Sequence, residues 1–171
     1  MIIDTLSNHP EQLEVVATMI HTEFVQKKKG TTPYEQIKVF LDKKSDESYP
    51  VTLIALDDVT CIGTVSLFEN DLNERPAYTP WLASLFVEKI YRNKGIAQQL
   101  INQLIVYAKS RQITTIYLKT ENASAYYKKL GWTLVEAIET TNSPMYIFAY
   151  NIDDASLVLV SDNSTIKALL L

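Results

Sequence analysis

The chain has 171 residues, enough for one domain with a substantial core and short for two. Hydrophobic residues make up 47% and charged residues 21%, with a formal net charge of −4, which argues against a nucleic-acid partner held on a broad basic face. A single cysteine, Cys61, and two histidines, His9 and His21, make neither an internal disulfide nor a zinc set, so no metal is expected.

No apolar run approaches the ~20 residues that span a bilayer, so no membrane association is expected. The opening "MIIDTLSNHPEQLEVV" lacks a basic segment leading into a long apolar one, so the chain reads as a soluble cytoplasmic protein without a signal peptide. After a first strand, Leu13, Val16, Ala17, Ile20 and Phe24 recur at helical spacing. Pro10 suits the first turn, which predicts a helix over 10–26. Pro33 starts a second helix with Tyr34, Ile37, Phe40 and Leu41 on one face, and 43–50 is polar linker. "VTLIAL" and "TCIGTVSLF" flank the Asp57-Asp58 turn and predict a hairpin. The polar segment "ENDLNERPAYTP" carries Glu69, Asp71 and Glu74 into "WLASLFV", residues 81–87. This run is apolar almost throughout, as a strand buried on both faces should be.

Ile96, Leu100, Ile101, Leu104 and Ala108 then form a wide apolar helical stripe. "ITTIYL" predicts the next strand, 123–130 a short helix, and "TLVEAI" and "MYIFAY" two closing strands. The order is β, two helices, β-β-β, α, β, α, β-β, an α/β (mixed α+β) sheet domain in which the strands of 81–119 pair in parallel through a helical crossover. The chain carries neither a Gly-x-Ser-x-Gly elbow nor a P-loop, which leaves hydrolase and nucleotide-hydrolysis readings without support.

Only 4 glycines occur, and Gly95 is one of them, set between a basic turn and the long helix. Such a turn presents unpaired N–H groups at the positive end of a helix dipole, and Lys89, Arg92 and Lys94 stand beside it. Local physics leaves two alternatives: an anion-binding turn, or a surface turn with solvated basic side chains.

"RNKGIA" at 92–97 resembles the acyl-CoA signature of the GNAT superfamily of N-acetyltransferases, Arg/Gln-x-x-Gly-x-Gly/Ala. "NASAYYKKLGW" at 122–132 resembles its second motif through Ala123, Tyr126, Tyr127, Lys129, Gly131 and Trp132. The resemblance implies a GNAT acyl-CoA N-acyltransferase fold over residues 1–150, a central mixed sheet flanked by helices. Residues 151–171 would be an extension whose "SLVLV" and "IKALLL" pack on the domain's own sheet edge or on a second copy in a homodimer, the alternative being a disordered tail.

The same resemblance implies acetyl-CoA as co-substrate and direct acetyl transfer to a small-molecule or peptide amine in a ternary complex. Leu85, Phe86 and Val87 would pair with the pantetheine arm, and an N–H there would polarise the thioester carbonyl. The amides of Arg92, Asn93, Lys94, Gly95, Ile96 and Ala97 would cradle the pyrophosphate. Tyr127 would protonate the departing thiolate. Tyr126 shares a helical face with Leu130 and reads as a core residue, whereas Tyr127 projects about 100° away. Thr120 stands where many members carry a pantetheine-contacting asparagine; Asn122 either takes over that contact or caps the following helix. Glu69 is the leading general-base candidate and Asp71 the next; the alternative is a solvated acidic loop that only attracts a cationic amine. Two rivals remain from other classes: a non-catalytic CoA-binding regulatory module, and a domain binding some other phosphorylated ligand at Gly95.

Overall fold

The computed structural model describes residues 1–42, 49–141 and 143–153. Seven strands, β1 (Ile2–Thr5), β2 (Val51–Asp57), β3 (Thr60–Phe68), β4 (Trp81–Val87), β5 (Thr115–Thr120), β6 (Thr133–Ile138) and β7 (Met145–Asn151), form one sheet ordered β1-β2-β3-β4-β5-β7-β6. Every pairing is antiparallel except β4 with β5, which the helical crossover joins in parallel. Among the described residues four α-helices accompany it: α1 (Leu13–Ile20), α2 (Tyr34–Leu41), α3 (Ile96–Ser110) and α4 (Ser124–Lys129).

The run of β2 before Asp57, apolar but for Thr52, is explained by burial on both faces. Val51, Leu53 and Ala55 pack with Leu100, Leu104 and Ala108 of α3. The alternate residues Ile54 and Leu56 pack with Val16, Ala17 and Ile20 of α1 and Ile37 and Leu41 of α2. The period of two along the strand thus feeds two cores, α1 and α2 on one face and α3 and α4 on the other.

Three elements depart from their sequence expectations. The helix expected over 10–26 is a composite: a 3-10 turn at Pro10–Gln12, then α1, then a π-helical stretch at His21–Gln26. The strand expected from residue 113 starts at Thr115, because the Ile113 N–H closes the end of α3 by donating to the Ala108 carbonyl at 3.0 Å, with Gln112 left-handed at φ +59°. In β4, Trp81, Leu82 and Ala83 are buried as expected, but Ser84, Leu85 and Phe86 are only half-buried, since the sheet opens beside them. The described chain ends just past β7, where the Ile152 N–H donates to the Thr114 carbonyl at 2.8 Å. The expected "SLVLV" strand and "IKALLL" end lie outside the described residues. Among the described residues, no helix is long and apolar enough to cross a membrane.

Candidate active site

The opening of the sheet begins in β4. Opposite Val65 of β3, this strand carries two residues, Ser84 and Leu85. Ser84 adopts φ +53°, an uncommon left-handed conformation for serine and the mark of a bulge. On the other side, β4 and β5 share a single ladder pair, Trp81 with Tyr117, and then diverge into a wedge. Gly63 of β3 lets the neighbouring strand sit close, since a Cβ there would lie 2.8 Å from the Phe86 carbonyl oxygen.

A groove of about 410 Å³ follows the wedge outward, lined by Leu85, Phe86, Val87, Arg92, Asn93 and Gly95 and continuing along Ile96 and Ala97 of α3. Gly95 is the N-cap of α3, with no side-chain cap and φ +76°. A Cβ there would find open space, its nearest neighbour being Gln99 at 3.9 Å, so the chain needs glycine at this point for its left-handed backbone as well as for any close approach. Asn93 is also left-handed, at φ +61°. The Arg92 side chain folds back on β4: its Nε donates to the Val87 carbonyl at 2.8 Å and its guanidinium lies 5.6 Å from the Phe86 ring centroid. Lys94 lies 5.2 Å from the centroid of Tyr91 and is not among the lining residues.

On the inner side the groove meets a cleft of about 760 Å³ between α1, α2 and the diverging strands. Glu23, Phe24 and Leu85 line both cavities and so mark where they join. Tyr127 lines the cleft at 8% exposure, packed against Trp132 and Phe148. Burial pushes its phenol up to about 12, with Tyr126 adding to the rise, so the hydroxyl keeps its proton at neutral pH. Tyr126 is the reverse of its expectation: it is 39% exposed and lines the groove instead of the core. The α4 helix is too short to hide both rings, and the one beside Trp132 is the one that is covered.

Asn122 lines the cleft but does not cap α4, whose N-cap is Ala123; the Ala123 N–H is held by the Thr120 hydroxyl at 3.1 Å. Glu69 is exposed at the end of β3, its carbonyl accepting from Thr79, and is not among the residues lining the cleft. Asp71 does line it. Burial raises the Asp71 carboxyl above its ordinary value against the opposing pull of Lys119, whose Nζ is 3.2 Å from it and also donates to the Asp71 carbonyl. Two contributors had no sequence signal of their own, Ser84 at the bulge and Glu23 on the π-helical turn. Cys61 is buried and its thiol pushed up to about 11, which makes it a poor nucleophile.

The profile of the Acetyltransferase (GNAT) family matches residues 16–132, more than half of the chain. The chain belongs to the GNAT acetyltransferase family. As a GNAT protein it is an acyltransferase, and its co-substrate is acetyl-CoA. The groove fits that molecule: an open, bulged strand edge suits an extended amide-bearing arm, and the left-handed turn at the head of a 15-residue helix suits a pyrophosphate. The GNAT fold is also seen in solved structures. An aminoglycoside 6'-N-acetyltransferase complexed with coenzyme A is 18% identical, with a TM-score of 0.71 over 89% of this chain and 97% of that one. An N-acetyltransferase from Staphylococcus aureus Mu50 is 14% identical, with a TM-score of 0.68 over 88% and 98%. A ribosomal-protein-alanine N-acetyltransferase from Brucella melitensis is 14% identical, with a TM-score of 0.66 over 88% and 99%. No curated protein matches the chain.

Proposed function

We propose that the protein transfers the acetyl group of acetyl-CoA directly to a primary amine, with both substrates held at once. The observation that carries this reading is the meeting of two cavities beside the β4 bulge. One follows the open strand edge to the α3 turn, and the other contains a protonated, buried tyrosine. Acetyl-CoA supplies the activated acyl thioester. Backbone groups of Leu85, Phe86 and Val87 hold its arm, and an N–H of this stretch hydrogen-bonds the thioester carbonyl as charge grows on the oxygen. The amides from Arg92 to Ala97 hold the pyrophosphate, while the Arg92 side chain keeps the turn fastened to β4.

The amine nitrogen bonds to the acyl carbon as the carbon–sulfur bond breaks. The bound ammonium first gives one proton to a carboxylate of the cleft, a role this reading moves away from the exposed Glu69, and the nitrogen loses its second proton to solvent as the amide forms. Tyr127 donates its Oη proton to the departing sulfur and is reprotonated from solvent. With Cys61 buried and its thiol pushed up, nothing in this scheme requires an acetyl-enzyme.

A thermal-shift titration tests the reading. Acetyl-CoA at 100 times its dissociation constant should stabilise the fold by ~2.7 kcal/mol, CoA should act similarly, and ATP should not. The absence of a shift with either CoA species at millimolar concentration would overturn it. So would a shift without thiol release across a panel of amines, which would favour the regulatory-module alternative.

A further inference from the structure

We infer that the acceptor is a primary amine with one positive charge on an apolar, ring-sized body, of the arylalkylamine kind, and not a polycation such as an aminosugar or polyamine. The inference rests on the acetyl-transfer reading and specifies the acceptor of that same cleft.

Charge is the first argument. Among the described residues, three carboxylates, Glu23, Asp71 and Glu121, and two ammonium groups, Lys28 and Lys119, line the cleft, one more negative charge than positive. Asp71 is matched by Lys119 at 3.2 Å and Glu121 by Lys28 at 3.6 Å. Glu23 alone pairs with a lysine outside the lining, Lys27, four residues along the same turn and half-exposed to solvent. A polycation would bury several ammonium groups beside carboxylates that lysines already neutralise, a costly desolvation without compensation. A single ammonium needs only one carboxylate to exchange its lysine for the ligand, and Glu23, whose partner Lys27 stands outside the lining, also borders the groove, where the acetyl group must be delivered.

The second argument is the apolar part of the lining. Phe24, Ile37, Phe40, Phe68 and Leu82 face the same cleft. Phe40 and Phe68 meet edge to face with centroids 5.2 Å apart, and Phe40 is 44% exposed. An aromatic pair left facing a cavity, not packed into either core, is the surface an apolar ligand covers. A hydroxyl-rich aminosugar would leave its polar groups unpaired against it.

Thiol release at saturating acetyl-CoA is measured with 2-phenylethylamine and tryptamine against spermidine and kanamycin. The arylalkylamines should have kcat/KM at least tenfold higher. Phe40→Ala, at an exposed position that spares the fold, should raise KM for 2-phenylethylamine roughly tenfold and leave KM for acetyl-CoA unchanged. Glu23→Gln should raise the amine KM in the same selective way. Preference for spermidine or kanamycin, or an unchanged 2-phenylethylamine KM in Phe40→Ala, overturns the inference while acetyl transfer stands. Calorimetric binding of the same four amines to the CoA-loaded protein gives a readout without turnover. Tighter 2-phenylethylamine binding with no thiol release would support the cleft assignment and overturn acetyl transfer. Equal or weaker binding than spermidine would overturn the cleft assignment.

Discussion

Tyr126 and Tyr127 are neighbours in sequence with opposite surroundings, one 39% exposed along the groove and one 8% exposed in the cleft. The covered phenol, pushed up to about 12, remains an acid throughout the working range, so kcat should show no falling limb from Tyr127 below about pH 10. The same shift has a stability consequence. An unfolded tyrosine ionises near ~10, so the folded chain retains a proton that the unfolded one loses, and stability should fall as pH rises from ~10 towards 12. Tyr127→Phe should lower kcat by ~10² or more while the CoA dissociation constant stays within about twofold; Tyr126→Phe should leave kcat nearly unchanged. Stopped or steady-state thiol release, paired with CoA calorimetry, separates the two. Glu69→Gln, at an exposed side chain beyond the cleft lining, should change kcat/KM less than about twofold, within the range of ordinary surface substitutions. A tenfold loss would restore Glu69 as the base.

At this scale the sequence reveals residues that stand in a fixed local pattern, and little else. Gly95 can be read because the turn, the basic neighbours and the helix behind it are contiguous. Ser84 cannot, because a serine inside an apolar strand carries no mark of a left-handed backbone. Glu23 is hidden for a different reason. On a regular 3.6-residue helix it sits at the edge of the apolar stripe, seven residues after Val16, and the wider π turn at His21–Gln26, which nothing in the sequence marks, changes the phase of the side chains after Ile20. Phe24, expected in the core, is carried by the same change to the junction of the two cavities.

The loop between β3 and β4 reads in sequence as a long polar segment with three carboxylates, yet it is fastened to the far half of the sheet. Arg75 grips Glu136 of β6 through both Nε and Nη2, and Tyr78 stacks on Tyr117 of β5 with centroids 4.7 Å apart. These are pairings between residues 61 and 39 apart in sequence, beyond the reach of any local pattern. Glu136→Gln should loosen the loop and raise KM for the amine, with KM for acetyl-CoA unchanged. Arg75 holds the Glu136 carboxyl below its ordinary value, so this contribution is present above the unfolded carboxylate pKa and lost as pH falls through the lower folded one. The amine KM of the wild type should accordingly rise at acid pH. Within the sheet, Gly63→Ala would drive a methyl to 2.8 Å from the Phe86 carbonyl. It should cost about 1–3 kcal/mol in a denaturant midpoint experiment and also weaken CoA binding, since the displaced backbone belongs to the groove.

For the molecule as a whole, element order and the parallel crossover were legible because hydrophobic periodicity and turn residues report local geometry directly. The point where the sheet divides was not legible in composition, since β4 reads as uniformly apolar. It follows from the bulge and from a ladder of one residue pair, which are properties of two strands together. The sheet is in effect two sheets, β1 to β4 and β5-β7-β6, joined by that pair, by the Tyr78, Trp81 and Tyr117 rings and by α3.

That divided sheet makes the protein its own reporter under deuterium exchange. Backbone amides normally sealed in the centre of a sheet are here placed on an inner margin, where they can trade protons with water without any global opening. Peptides spanning 84–87 should therefore label far faster than those spanning 52–56 of β2, although both strands have a neighbour on each side. Adding CoA should slow the first set and leave the second alone, tracing the missing strand amide by amide.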